Sequence, residues 1–155
     1  MSLKKGDQAP SFSLYNTGKK PVSLEDQRGK NVLLLFFPLA FTSVCTAELC
    51  GVRDNIAVYD SANAVVFGIS VDSPYTLAKL KEEQGLNFEL LSDFNKEISK
   101  AYGSIYEKFG MEMLGVSKRS AFVIDKEGVI QYSEVLENAG EIPDFAKINA
   151  VLGGL

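Results

Sequence analysis

Asn31 to Phe37 is a nearly unbroken apolar run, Val32-Leu33-Leu34-Leu35-Phe36-Phe37, that stops at Pro38. It leaves the chain few architectures. A strand with apolar side chains on both faces must be covered on both faces, so the sheet around it lies inside a sandwich. The run is too short to cross a bilayer. Ala64 to Val71 repeats the pattern and supplies a second buried strand.

The rest of the chain reads as elements alternating around that sheet. Residues 9–15 and 21–24 are short extended pieces around the Asn16-Thr17-Gly18-Lys19-Lys20 turn. Residues 43–60 read as a helix, with Val44, Leu49, Val52, Ile56 and Val58 available for its buried side. Asp72-Ser73-Pro74 opens a helix over roughly 75–84, because proline suits a first helical turn. A short extended piece at 88–91 precedes Ser92-Asp93-Phe94-Asn95, which can cap a helix near 95–101. Arg119 to Asp125 and Val129 to Leu136 flank Lys126-Glu127-Gly128 as a hairpin, and Ile142 to Leu152 is a closing amphipathic helix. Strand and helix alternating, then a hairpin and a helix, imply an α/β fold: a central mixed sheet flanked by helices with an N-terminal β extension.

Length and charge limit the classes. A 155-residue chain with 46% hydrophobic content suits one domain over residues 1–155, and it contains no repeat or long linker. The formal charge of −4 argues against nucleic acid or an anionic membrane surface as partner. The N-terminal residues lack an apolar signal segment, which makes a cytoplasmic location the expectation. There is no histidine, so no Ser-His-Asp triad, Cys-His dyad or His-ligated metal can form within one chain. Two cysteines alone do not complete a structural zinc site, and neither a metal nor another cofactor is expected.

Those two cysteines follow the first apolar run. Pro38-Leu39-Ala40-Phe41-Thr42-Ser43-Val44 delivers Cys45 to the first turn of the expected helix, and Cys50 lies five residues on. Unpaired backbone N–H groups at a helix N-terminus favour an anion, and the thiolate is the nucleophilic form of a cysteine. Thr42 and Ser43 stand where a hydroxyl caps a helix or hydrogen-bonds a thiolate. A buried cysteine serving only as a small hydrophobe needs no such surroundings. In the absence of histidine, the activating groups are arginine, lysine, backbone dipoles or a hydroxyl.

Pro38, Thr42 and Cys45 fit the Pro-x-x-x-Thr-x-x-Cys signature of the peroxiredoxins, and the chain resembles that family over nearly its whole length. The resemblance includes Gly6-Asp7-x-Ala-Pro10-x-Phe12, Gly68-Ile69-Ser70-Val71-Asp72, Leu91-Ser92-Asp93 and Phe122-Val123-Ile124-Asp125-x-x-Gly128. It implies a thioredoxin-like fold and reduction of hydrogen peroxide or organic hydroperoxides, with Cys45 passing through a sulfenic acid. By the same resemblance Thr42 orients the peroxide, Pro38 shields the pocket from water, and Arg119 is the cationic partner. Glu48 matches a position that positions arginine; otherwise it is an exposed helix carboxylate. Only Arg28, Arg53 and Arg119 are arginines, and Arg53, two helical turns beyond Cys45, is expected to act only through another residue.

Cys50 divides the expectation. On an intact helix Cα atoms five residues apart are separated by about 8.6 Å, beyond the reach of a disulfide. A Cys45–Cys50 bond therefore requires the helix to unwind. The segment Cys45 to Asp54 resembles the bacterioferritin-comigratory peroxiredoxins, in which a cysteine at this spacing resolves the sulfenic acid. Gly51 lowers local helical preference by up to ~1 kcal/mol relative to alanine. The segment Phe36 to Thr42 is more similar to the alkyl hydroperoxide reductase E type, in which the reactive cysteine works alone and an external thiol resolves it. A non-turnover peroxide sensor or binding module is a further alternative. A thioredoxin- or glutaredoxin-like reductant follows from the resemblance, which is compatible with an edge-on homodimer and equally with a monomer. Leu39, Phe41, Met111 and Met113 are candidates for lining an organic-peroxide pocket and equally for core or dimer contacts. The chain ends at Gly153-Gly154-Leu155 without a further segment to hold the helix, giving an expectation of resistance to over-oxidation.

Overall fold

The computed structural model describes residues 3–155. Seven strands form one sheet: β1 (Ser13–Asn16), β2 (Pro21–Ser23), β3 (Asn31–Phe36), β4 (Ala64–Ser70), β5 (Glu89–Ser92), β6 (Ser120–Ile124) and β7 (Ile130–Val135). Their order is β2-β1-β5-β4-β3-β6-β7. β3, β4 and β5 run parallel, while β6, β7 and the β1–β2 extension are antiparallel to their neighbours. The helices are α1 (Ser43–Asp54), α2 (Ile56–Ser61), α3 (Pro74–Gln84), α4 (Glu97–Ala101) and α5 (Phe145–Gly153).

β3 occupies the centre, and its two-residue alternation builds both layers. Leu33, Leu35 and Phe37 enter the core covered by α1, α2, α3 and α5, together with Leu49, Tyr59, Leu77 and Ile148. Val32, Leu34 and Phe36 enter the opposite core with Phe12, Tyr102 and Phe122. Gly68 has a packing reason to lack a side chain. A Cβ there would stand 2.7 Å from Leu90 Cδ2 and 3.3 Å from the Phe37 ring, close to Leu49 of α1.

The expected 43–60 helix is two helices. Asn55 breaks it, with φ −117° and ψ 22°, and its side-chain amide donates to the Gly51 carbonyl at 2.8 Å. An asparagine that bonds its own backbone competes with the helical ladder. The break redirects the buried face, so that Tyr59 is buried while Val58 is 43% exposed and Val44 only half-buried. The closing helix begins at Phe145, three residues later than expected. Pro143 keeps Ile142 out of helical conformation, and the Asp144 carboxylate caps α5 through the Lys147 N–H at 3.2 Å. No helix among the described residues is long and apolar enough to cross a membrane.

Sheet register determines what meets at the C-terminal end of β3. Phe36 pairs with Ser120 across β6 and with Ile69 along β4. Arg119, one residue before β6, is thereby brought to the end of β3, and Asp72, two residues past β4, bonds the loop that follows β3 at Ala40.

Candidate active site

Cys45 is the third residue of α1 and is buried in the core beneath it. The first backbone hydrogen bond of the helix runs from the Thr46 N–H to Thr42 O at 2.9 Å. Thr42 occupies the N-cap position with extended backbone angles, but no side chain caps the helix. The expected hydroxyl contacts of Thr42 with the cysteine or with the helix are not made. Thr42 Oγ1 instead donates to Leu39 O at 2.8 Å, because the preceding loop folds back under it. Phe41 takes a left-handed φ of 67° in that loop. Such a conformation costs a non-glycine residue of order 1 kcal/mol or more and persists only when its surroundings impose it. Asp72 does so in part: its Oδ2 accepts from the Ala40 N–H at 2.8 Å and from the Ser70 hydroxyl at 2.7 Å. Pro38 is buried at the start of this loop.

Arg119 crosses 74 residues of sequence to reach the sulfur. Its Nη2 donates to Cys45 Sγ at 3.2 Å, its Nη1 to Glu48 Oε1 at 2.7 Å and its Nε to Ala139 O at 3.0 Å. The guanidinium is thus held on three sides, with only 2% of the residue exposed. Burial opposes its charge, but Cys45 and Glu48 together outweigh burial and hold the guanidinium above its ordinary value. Glu48 is buried, not an exposed helix carboxylate. Burial pushes its carboxyl up to about 7, against the attraction and hydrogen bond of Arg119. Its second oxygen, Oε2, is buried with no hydrogen-bond partner.

The remaining sequence candidates lie elsewhere. Cys50 is half-buried, and its Sγ donates to Gln84 Oε1 at 3.4 Å, on a helix that is continuous from Ser43 to Asp54. Both cysteines are free thiols. Arg53 does not act on the cysteine: its Nη1 donates to Gln84 O and its Nε to Asp54 Oδ1. Asn87 closes the same contact from the α3–β5 turn, its side-chain amide donating to Arg53 O at 3.2 Å. Leu39 packs with Val71, Tyr106 and Val116, whereas Met111 is 91% exposed. Asp72 and the Ala139 carbonyl were absent from the sequence expectation. Asp72 stood within a quoted motif without an assigned role, and a carbonyl contributed by a loop leaves no side-chain signal.

A thiol at an uncapped helix N-terminus, beside a buried arginine–carboxylate pair, is suited to nucleophilic attack by the sulfur. The family profile described as AhpC/TSA matches residues 5–133, and the chain belongs to that family. It is 40% identical over 132 residues to peroxiredoxin Bcp of Escherichia coli, covering 84% of each chain. It is 38% identical over 145 residues to alkyl hydroperoxide reductase E of Mycobacterium tuberculosis, covering 92% of this chain and 91% of that one. The crystal structure of peroxidoxin BcpB from Mycobacterium tuberculosis superposes with a TM-score of 0.87 at 28% identity, over 99% of this chain and 98% of that one. A peroxiredoxin-like protein from Aquifex aeolicus, at 22% identity and a TM-score of 0.89, shares the thioredoxin-like fold.

Proposed function

We propose that the protein reduces hydrogen peroxide and organic hydroperoxides through a sulfenic acid on Cys45, and that Cys50 resolves it. The observation that carries the reading is the Arg119 fork, with one arm 3.2 Å from Cys45 Sγ and the other 2.7 Å from Glu48.

In the first step the Cys45 thiolate attacks the terminal oxygen of R–O–O–H. An S–O bond forms, the O–O bond breaks, and the electron pair leaves on the alkoxide or hydroxide, which solvent protonates. Negative charge moves from sulfur toward the departing oxygen. A permanent cation already fixed in place stabilises that shift without reorganising. The Ser43, Val44 and Cys45 N–H groups at the start of α1 are further donors, because no side chain occupies them as a cap. The Thr42 hydroxyl donates to Leu39 O, which leaves its oxygen lone pairs to accept the peroxide O–H. Pro38 presents no N–H and keeps water from the buried sulfur. In the second step the Cys50 thiol displaces water from the sulfenic acid, forming a Cys45–Cys50 disulfide. A dithiol reductant of the thioredoxin or glutaredoxin kind restores both thiols.

The second reading, resolution by an external thiol, has one observation in its favour: α1 is intact and Cys50 is engaged with Gln84. The site itself is tested by peroxide turnover. Cys45→Ser is expected to abolish it. Arg119→Lys, which keeps the charge but loses the fork, is expected to slow sulfenic acid formation by about 10²-fold or more. An Arg119→Lys variant within threefold of wild type would remove Arg119 from the reaction.

A further inference from the structure

Asp72 makes no bond to the sulfur, yet it holds the loop that leads to Thr42 and Cys45. Its Oδ2 is the acceptor for the Ala40 N–H at 2.8 Å and for the Ser70 hydroxyl at 2.7 Å. The carboxylate is itself anchored. Ser70 Oγ accepts the Asp72 N–H at 3.2 Å, and the Ser92 hydroxyl donates to Asp72 O at 2.6 Å. The Asp93 N–H bonds Ser70 O at 2.7 Å, so the anchor spans the ends of β4 and β5. Ala40, the residue that Asp72 grips, packs against the same core as Cys45.

The bond to Ala40 works against local strain. Phe41, the next residue, sits at a φ of 67°, and its side chain is 48% exposed, so its own packing holds it only in part. A carboxylate accepting from a backbone N–H is one of the stronger hydrogen bonds available to hold such a turn. Once it is lost, the loop relaxes, Thr42 moves with it, and Cys45, 1% exposed when the loop is closed, is uncovered. We infer that Asp72 is a positioning residue for peroxide reduction: acting through Ala40, it holds residues 38–42 closed over Cys45. In the closed loop a small peroxide meets the sulfur and the Thr42 hydroxyl together, and bulkier electrophiles are kept away. The inference rests on Cys45 as the attacking sulfur. What Asp72 supplies is an acceptor at a fixed point, a part that an asparagine oxygen at the same place can also play.

Two reactions of the Cys45 thiol test this, both in full-length protein carrying Cys50→Ser so that one sulfur reports. Hydrogen peroxide is followed by competition with a reporter haem peroxidase, and iodoacetamide by intact mass. Asp72→Ala should slow the peroxide reaction by about tenfold or more, since a small misplacement of reacting groups is costly. The same variant should alkylate about threefold faster or more, because the loop opens. Damage to the fold at large would move both rates in one direction. Asp72→Asn should stay within about threefold of the parent in both reactions. Ser70→Ala frees one of the two bonds that orient the carboxylate, and should show the same opposed pattern at about threefold, which keeps the test alive should Asp72→Ala fail to fold. Rates that fall together, an Asp72→Asn protein as slow as Asp72→Ala, or indifference of both reactions to Asp72→Ala and Ser70→Ala would each overturn the positioning role. A Cys50→Ser parent that does not react with peroxide would overturn the reading of Cys45 as well, so the two failures are told apart.

Discussion

At the scale of single residues, the site is an arginine held on three sides between a sulfur, a carboxylate and a carbonyl. The residue types were legible in the sequence: a reactive cysteine behind Thr42, one arginine near the start of a predicted strand, and a carboxylate three residues after the cysteine. Their burial was not. Without the family resemblance, Glu48 and Arg119 read as ordinary exposed charges, because burial of a charged pair depends on what covers it rather than on its own residues. The pair leaves a pH signature. Burial raises the Glu48 carboxyl from 4.5 to about 7 in the folded protein, so the folded state binds its proton more tightly than the unfolded chain does. The stability this contributes is fully present below about pH 4.5 and is lost as pH rises through about 7. Over that window the wild type should lose stability relative to Glu48→Gln, by an amount on the order of 3 kcal/mol. Denaturant melts of both proteins from pH 4.5 to 8.5 measure it, and parallel curves would mean that Glu48 does not titrate as its burial demands.

At the scale of elements, α1 carries Cys45 at its start and Cys50 in its middle. Its amphipathic pattern was legible, but its end was not, since Asn55 halts the helix through a side-chain bond that apolar periodicity does not record. Nor did the sequence reveal the attachment of the helix to the α3–β5 turn. Cys50 and Arg53 both engage Gln84, and Asn87 bonds Arg53 O. These contacts must open before Cys50 can reach Cys45, and Gly51 sits beside them with open space where a Cβ would stand. Gly51→Ala should therefore fit without strain and strengthen the helix by up to ~1 kcal/mol. Disulfide formation should slow by up to about fivefold, while sulfenic acid formation keeps its wild-type rate. Rapid-mixing kinetics separate the two phases. An unchanged second phase would mean that helix opening does not limit resolution.

At the scale of the whole molecule, the sheet is what brings distant residues together. Most strands lie within one or two residues of their expected limits, because two-sided burial writes continuous apolar runs into β3, β4 and β6. Strand order was not legible in the same way. Pairing β6 against β3 is a long-range choice, and that register carries Arg119 to Cys45. Close packing between layers transmits the sheet to the helix. Gly68 lets Leu90 and the Phe37 ring approach β4 beneath Leu49 of α1. Gly68→Ala should cost about 1–3 kcal/mol, seen as a fall in Tm of several degrees, with turnover impaired through the displaced helix. An unshifted Tm would contradict the packing described.

Intact mass tests most directly whether Cys45 is oxidised and Cys50 resolves it. Wild type and Cys50→Ser are each treated with one equivalent of hydrogen peroxide in the absence of reductant. Wild type is expected to lose two hydrogens without dimerising, while Cys50→Ser gains one oxygen that a sulfenic acid trap captures. A trappable sulfenic acid in both proteins would contradict the role of Cys50 and pass resolution to an external thiol. No oxidation of wild type would contradict the account of Cys45 itself.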